Sequence, residues 1–181
     1  GLPKVYNGGE MGNPADAPAS VTYSVTEMSA SAMTIQINYA DTFIWQYKYV
    51  KVGSSALVGD WKLSPMAGAL AVGWDADNVG GWWANNADDV ASRACLFDDV
   101  VRFGSDGSFA NVMGSETWLE GWQGVDGDQC GAPVAPHDGS ASATYTYDAS
   151  TGSLMIDGLG AHLGLPKVYN GGEMGNPADA P

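Results

Sequence analysis

Between residues 21 and 49 the chain alternates with a period of two, a rhythm that specifies antiparallel strands and excludes long helices. Val21, Tyr23 and Val25 alternate with Thr22, Ser24 and Thr26. After a turn at 28–31, Met33, Ile35, Ile37 and Tyr39 alternate with Thr34, Gln36 and Asn38, and Phe43, Trp45, Tyr47 and Tyr49 form one face of a third strand. Successive side chains of a strand point to opposite faces, so each segment presents one apolar face to a core. The pattern resumes at Val101 and Phe103, turns through Gly104-Ser105-Asp106-Gly107 and runs back along 109–113, glycine supplying the positive φ that a tight turn needs. Tyr145 and Tyr147 precede a turn at 148–152, and Leu154 and Ile156 follow it. The best helix candidate, 86–91, is short. Two stretches break the rhythm, 66–86 and 121–140, and both are long for simple turns. The expectation is an all-β fold, an antiparallel up-and-down β-barrel.

The first eighteen residues, GLPKVYNGGEMGNPADAP, return unchanged as 164–181. The offset between the copies matches one whole domain. The expected origin is a gene of near-identical tandem modules, with this chain cut from the array as one period plus the start of the next. Enzymes rarely need consecutive copies of themselves, whereas filaments and multivalent adhesins gain length and avidity from them. The repeated segment therefore supplies the candidate contacts between modules: Gly1, Leu2, Pro3 and Tyr6 in the first copy, Leu165, Pro166 and Tyr169 in the second.

The chain carries 21 acidic and 7 basic residues, a net charge of −14. Such a surface repels phosphate backbones and anionic membranes, so no nucleic acid partner and no membrane insertion are expected. No apolar run approaches the roughly 20 residues of a membrane span. Cys95 and Cys130, the only cysteines, show no zinc-like spacing and are read as one disulfide, tying a strand carrying Asp98 and Asp99 to the loop around Gly131. A structural disulfide implies an extracellular or cell-surface location.

Carboxylates occur in close pairs at Asp75/Asp77, Asp88/Asp89, Asp98/Asp99 and Asp126/Asp128. Acid–base hydrolysis needs two carboxyl groups facing each other across a cleft, whereas pairs inside turns are ordinarily turn formers. Asp75, Asp77, Asp126 and Asp128 are the candidates for calcium, although neither pair sits in a full ligating loop. No other cofactor is implied. His137 is flanked by Asp138 and Ser140, but adjacency in sequence does not build a triad, and a locally bonded turn histidine is expected. Asn7-Gly8-Gly9-Glu10 lacks the lysine and helix of a phosphate loop and reads as a turn. Trp45 and Trp61 fall on strands and belong to the core. Trp74, Trp82, Trp83, Trp118 and Trp122 crowd the irregular stretches beside Asn85, Asn86 and Gln123. Flat aromatic faces next to amides suit stacking on sugars, and equally suit a buried interface between modules.

Gly59-Asp60-Trp61-Lys62-Leu63 resembles the opening strand of a lipocalin-type barrel. The run from Cys95 to Phe103, followed by Asp106-Gly107-Ser108-Phe109, is similar to a pattern in lipocalin-like domains of secreted Bacteroidota proteins. Such domains close with an aromatic strand ending in Lys-Val, as 43–52 does. A module found beside laminarinase-type glycoside hydrolases and in large surface proteins of marine bacteria is similar at Trp61–Pro65, Glu116–Glu120, Pro133–Gly139 and Leu165–Gly171. The arginine expected over the first-strand tryptophan is not evident, the final strand offering only Lys48 and Lys51, so ligand transport is not implied. The resemblance sets a phase: 1–52 are the closing strands of one repeat, or part of a permuted or strand-exchanged barrel; 53–60 a linker; 61–163 the opening strands of the next repeat; 164–181 the copy of 1–18. In the permuted alternative, 43–52 pairs with 60–65. The function expected is a non-enzymatic structural module of a secreted filament or adhesin whose partners are identical neighbouring modules. The alternative is a carbohydrate-binding module that attaches a polysaccharide-degrading enzyme to glycans.

Overall fold

A computed structural model describes residues 5–6, 9–10, 19–29, 31–39, 43–52, 57–169 and 172–173. Eight strands form a closed antiparallel barrel: β1 (Ser20–Met28), β2 (Ala32–Tyr39), β3 (Phe43–Val52), β4 (Gly59–Leu63), β5 (Val100–Phe103), β6 (Ser108–Val112), β7 (Ala143–Asp148) and β8 (Ser153–Asp157). Each pairs with the next in chain order, and β8 returns to β1 through Ser153↔Ser24 to Asp157↔Ser20. Closure leaves no free edge among these eight strands.

The alternating residues of the sequence turn inward together. Val21, Tyr23, Met33, Ile35, Ile37, Trp45, Tyr47, Tyr49, Trp61, Leu63, Val101, Phe103, Phe109, Leu154 and Ile156 are all buried. Trp61 is fully enclosed and its indole N–H donates to the Leu57 carbonyl at 2.8 Å. Leu57 and Gly59–Leu63 thus belong to the barrel, although 53–60 reads in sequence as linker; 53–56 lie outside the described residues. On the outer face, paired positions Asp60 and Arg102 form a two-pronged ion pair, with Nε and Nη2 donating at 2.6 and 2.7 Å.

The registers place the connections unequally. Strands β1, β3, β5 and β7 finish at one end of the barrel, where the turns 104–107 and 149–152 lie. The long connections 64–99 and 113–142, together with 158–169, emerge at the other. The first long connection begins as an excursion from the wall. The Tyr49–Val52 half of β3 pairs with β4, while Ile44–Tyr47 pairs with a second piece of strand, Leu70–Gly73. The chain leaves as Ser64 N–H donates to the Lys48 carbonyl, and returns as Lys48 N–H donates to Ala69. Buried Asn85 clamps the excursion: its Oδ1 accepts from Leu70 N–H and its Nδ2 donates to the Met66 carbonyl.

Two helices follow. α1 (Ala87–Ser92) begins where the sequence places a helix, with Asn86 and Asp89 exchanging side-chain and backbone bonds in a capping box. α2 (Ala94–Phe97) corrects the sequence reading. Cys95 lies on this helix, not on a strand with Asp98 and Asp99, and Cys95, Leu96 and Phe97 are all buried. The second long connection carries a short ladder, Thr117–Leu119 with Gln129–Gly131. The Cys95–Cys130 disulfide ties α2 to it. Among the described residues no helix is long and apolar enough to cross a membrane.

Candidate functional site

The end of the barrel that carries the long connections is closed by Leu163 together with the start of the repeated segment's second copy. Leu163, Leu165 and Val168 are 0, 1 and 2% exposed and join the barrel core; Pro166 and Glu173 are buried beside them. Their seat is fixed by backbone shape. Gly164 has φ +72°, and a Cβ there would lie 2.5 Å from the Tyr47 ring, so only glycine allows this approach. Asn111 of β6 holds the entry: its Nδ2 donates to the His162 carbonyl at 2.8 Å, and its Oδ1 accepts from His162 N–H at 3.2 Å.

Glu120 is the polar centre of this end. It is 3% exposed and accepts from the indoles of Trp122 at 3.0 Å and Trp118 at 3.3 Å, while Lys167 of the repeated segment approaches to 3.8 Å. Burial raises its pKa, and the Lys167 charge and the Trp122 N–H pull it back. Its backbone N–H donates to the Gln123 side chain at 2.9 Å. Around Glu120 runs a chain of cation–π and edge-to-face ring contacts. The Arg93 guanidinium lies over Trp83 at 5.3 Å and Trp118 at 4.8 Å, Trp122 meets His137 at 5.7 Å, and His137 meets His162 at 5.9 Å.

Both histidines are buried and held neutral. Burial pushes His137 well below its ordinary value, helped by His162, and lowers His162 to about 4. Neutral His162 must carry its proton on Nδ1, which lies 2.9 Å from the Gly160 carbonyl, an atom that can only accept. His137 faces inward, while its neighbours Asp138 and Ser140 bond each other at 2.6 Å. The three groups do not converge as a triad.

The sequence-derived candidates separate into distinct places. Trp118 and Trp122 are buried on Glu120, and Trp83 is half-buried under Arg93. Trp74 and Trp82 are 41 and 48% exposed, 6.3 Å apart, with Phe43 packed edge-on to Trp82 at 4.4 Å. Asn85, Asn86 and Gln123, the amides placed beside the tryptophans, are committed to backbone groups. Asp75 accepts from Asp77 N–H, Asn78 N–H and Asn78 Nδ2 in a turn, and Asp128 accepts from Gly121 N–H. Asp126 is exposed and contributes its backbone carbonyl to Gln129. No group of three or more His, Cys, Asp or Glu side chains suited to a metal occurs among the described residues. Of the inter-module candidates, Leu165 and Pro166 are buried in the seat. Tyr6 and Tyr169 lie on short strands, and Gly1, Leu2 and Pro3 lie outside the described residues.

Sequence reasoning missed Glu120 and Lys167 as partners. The available signals were a glutamate two residues from a tryptophan on either side, and a rare lysine inside the repeated segment. The chain matches no known protein family, no curated protein and no solved structure.

Asp99 borders this end. With His162, Asn111 and Gly164 it lines a cavity of about 20 Å³, room for a single water. Burial raises its pKa from 3.8 to about 7, opposed by the Thr117 hydroxyl donating at 2.5 Å and reinforced by Asp98. A carboxyl with a raised folded-state pKa stabilises the fold fully below pH 3.8, and that contribution disappears as pH rises through about 7. Thermal unfolding across that range is therefore expected to show a declining midpoint that Asp99→Asn flattens, with the variant several degrees more stable at about pH 8. Parallel pH profiles for the two proteins would refute this assignment.

Proposed function

We propose that the chain is a non-enzymatic structural module of a large secreted or cell-surface filament or adhesin, repeated head to tail, with a barrel of the lipocalin-like up-and-down kind. The observation that carries this reading is the place of the repeated sequence. Its second copy closes the open end of the barrel, so one such segment is required for every barrel in an array. Two further features support it: each barrel strand neighbours the next in chain order, and the Cys95–Cys130 bridge suits an oxidising compartment. The inward-facing Glu120 and His162 are hydrogen-bonded into the closure and His137 packs edge-on between Trp122 and His162, which favours a structural use for them over a catalytic one. Electron microscopy of the native full-length protein is expected to show density recurring at a fixed module spacing. Separate, freely tumbling globules, or a parent polypeptide with a single unit, would contradict the proposal.

The exposed pair Trp74 and Trp82 favours a second reading, a carbohydrate-binding module appended to a polysaccharide-degrading enzyme. Two adjacent indoles offer apolar faces to the C–H surface of a pyranose ring. On this reading the intact chain binds a glycan on an array and Trp74→Ala with Trp82→Ala abolishes the signal. No binding at roughly millimolar oligosaccharide removes it.

A further inference from the structure

We propose that the groove seating 163–168 is also a dock between molecules, accepting the identical 1–5 segment of a second copy of this chain in place of 164–168. The proposal takes its biological use from the repeat-module reading, and identifies how one module grips the next. Four observations lead to it.

The occupant's sequence exists twice. Every residue that makes the seat in 164–168, including the glycine at 164, the leucine at 165, the lysine at 167 and the valine at 168, has its counterpart at 1, 2, 4 and 5. A second copy can thus make the same contacts: an apolar side chain in the barrel mouth and an ammonium beside Glu120.

The backbone of the first copy is already shaped for the task. Val5↔Glu10 and Tyr6↔Gly9 reproduce the register of Val168↔Glu173 and Tyr169↔Gly172. The two hairpins also lie against each other beside the barrel mouth. A pre-formed hairpin loses little freedom on docking.

The floor of the groove is polar. Tyr23, Tyr47 and Tyr49 are buried beneath the seated segment, with the Leu163 and Gly164 backbone at the Tyr23 and Tyr49 hydroxyls, and the Tyr47 hydroxyl makes no hydrogen bond. An unmet hydroxyl regains water whenever the segment lifts, so closure is weaker than its apolar contacts alone would make it.

Exchange of one copy for the other, finally, can remake the contacts of Gly164, Leu165, Lys167 and Val168, while Leu163, outside the repeat, stays with its own chain. Occupancy is then set by the local concentration of each copy, and a neighbour in an array or at high concentration competes with the tethered one.

Full-length Lys4→Cys and full-length Glu120→Cys chains, mixed at roughly millimolar concentration and treated with a short bis-maleimide, test the dock. Cys95 and Cys130 are bridged to each other and do not react. A Lys167→Cys/Glu120→Cys double variant calibrates reach within one chain, and Lys4→Cys mixed with Ser105→Cys, a turn residue at the opposite end, calibrates random collision. The expected result is several-fold more covalent dimer than the collision pair gives, suppressed by excess GLPKVYNGGEMGNPADAP peptide. Dimer at the collision level, with the calibrating double variant closing normally, would overturn the dock. Failure of the double variant to close would also overturn it, by contradicting the approach of Lys167 to Glu120. Either negative leaves the repeat-module reading standing, since that depends on the appearance of the native array.

Discussion

Burial of Leu163, Leu165 and Val168 in the mouth of the barrel is the contact on which the rest of this structure depends. A closed barrel solves the problem of strand edges but leaves two openings through which water can reach its core. At one end the strands are joined by short turns such as 104–107 and 149–152. At the other the chain departs on two long excursions, and the aromatic interior, with Trp45, Tyr47 and Tyr49, needs a lid. The lid is the chain's own continuation after β8, and Gly164 lets it press directly on the Tyr47 ring.

Apolar contact alone would allow the lid to slide, and the polar groups around it set its position. Asn111 pairs with both backbone groups of His162, and Glu120 gathers two indole N–H groups and the Lys167 ammonium. A carboxylate this deeply buried is tolerable only when its oxygens are bonded, and removing one partner leaves the others exposed to its desolvation. The Cys95–Cys130 bridge holds the two excursions together behind it, so that Trp118 can lie between Arg93 and Glu120. Rigidity here comes from a connected set of modest interactions rather than a large one.

The sequence revealed the barrel wall far better than its closure. Period-two alternation marked β1, β2, β3 and the two hairpins of β5–β8, because each of these strands has one face in the core and one toward solvent. Leu70–Gly73 escaped because all four of its residues are buried, which removes the alternation. Helix α2 escaped for a similar reason: three consecutive buried residues read as easily as a strand. The amide of Asn85 looked like a sugar contact and proved to be a backbone clamp. Glu120 and Lys167 were invisible as a pair because a long-range ion pair leaves no local pattern. Their flanking tryptophans and the repeat were in view, but nothing in one dimension joined them.

The identity of the two terminal segments gives an unusually clean control. The same substitution can be placed in either copy. Thermal or denaturant unfolding of Leu165→Ala and Leu2→Ala, at micromolar concentration to keep exchange between molecules low, is the most direct measurement. If the second copy is the lid, Leu165→Ala lowers stability by about 2–5 kcal/mol, the range for an emptied core site, while Leu2→Ala changes it by less than about 0.5 kcal/mol. Equal losses from the two substitutions, or none from either, would contradict the claim that residues 163–168 hold the barrel shut.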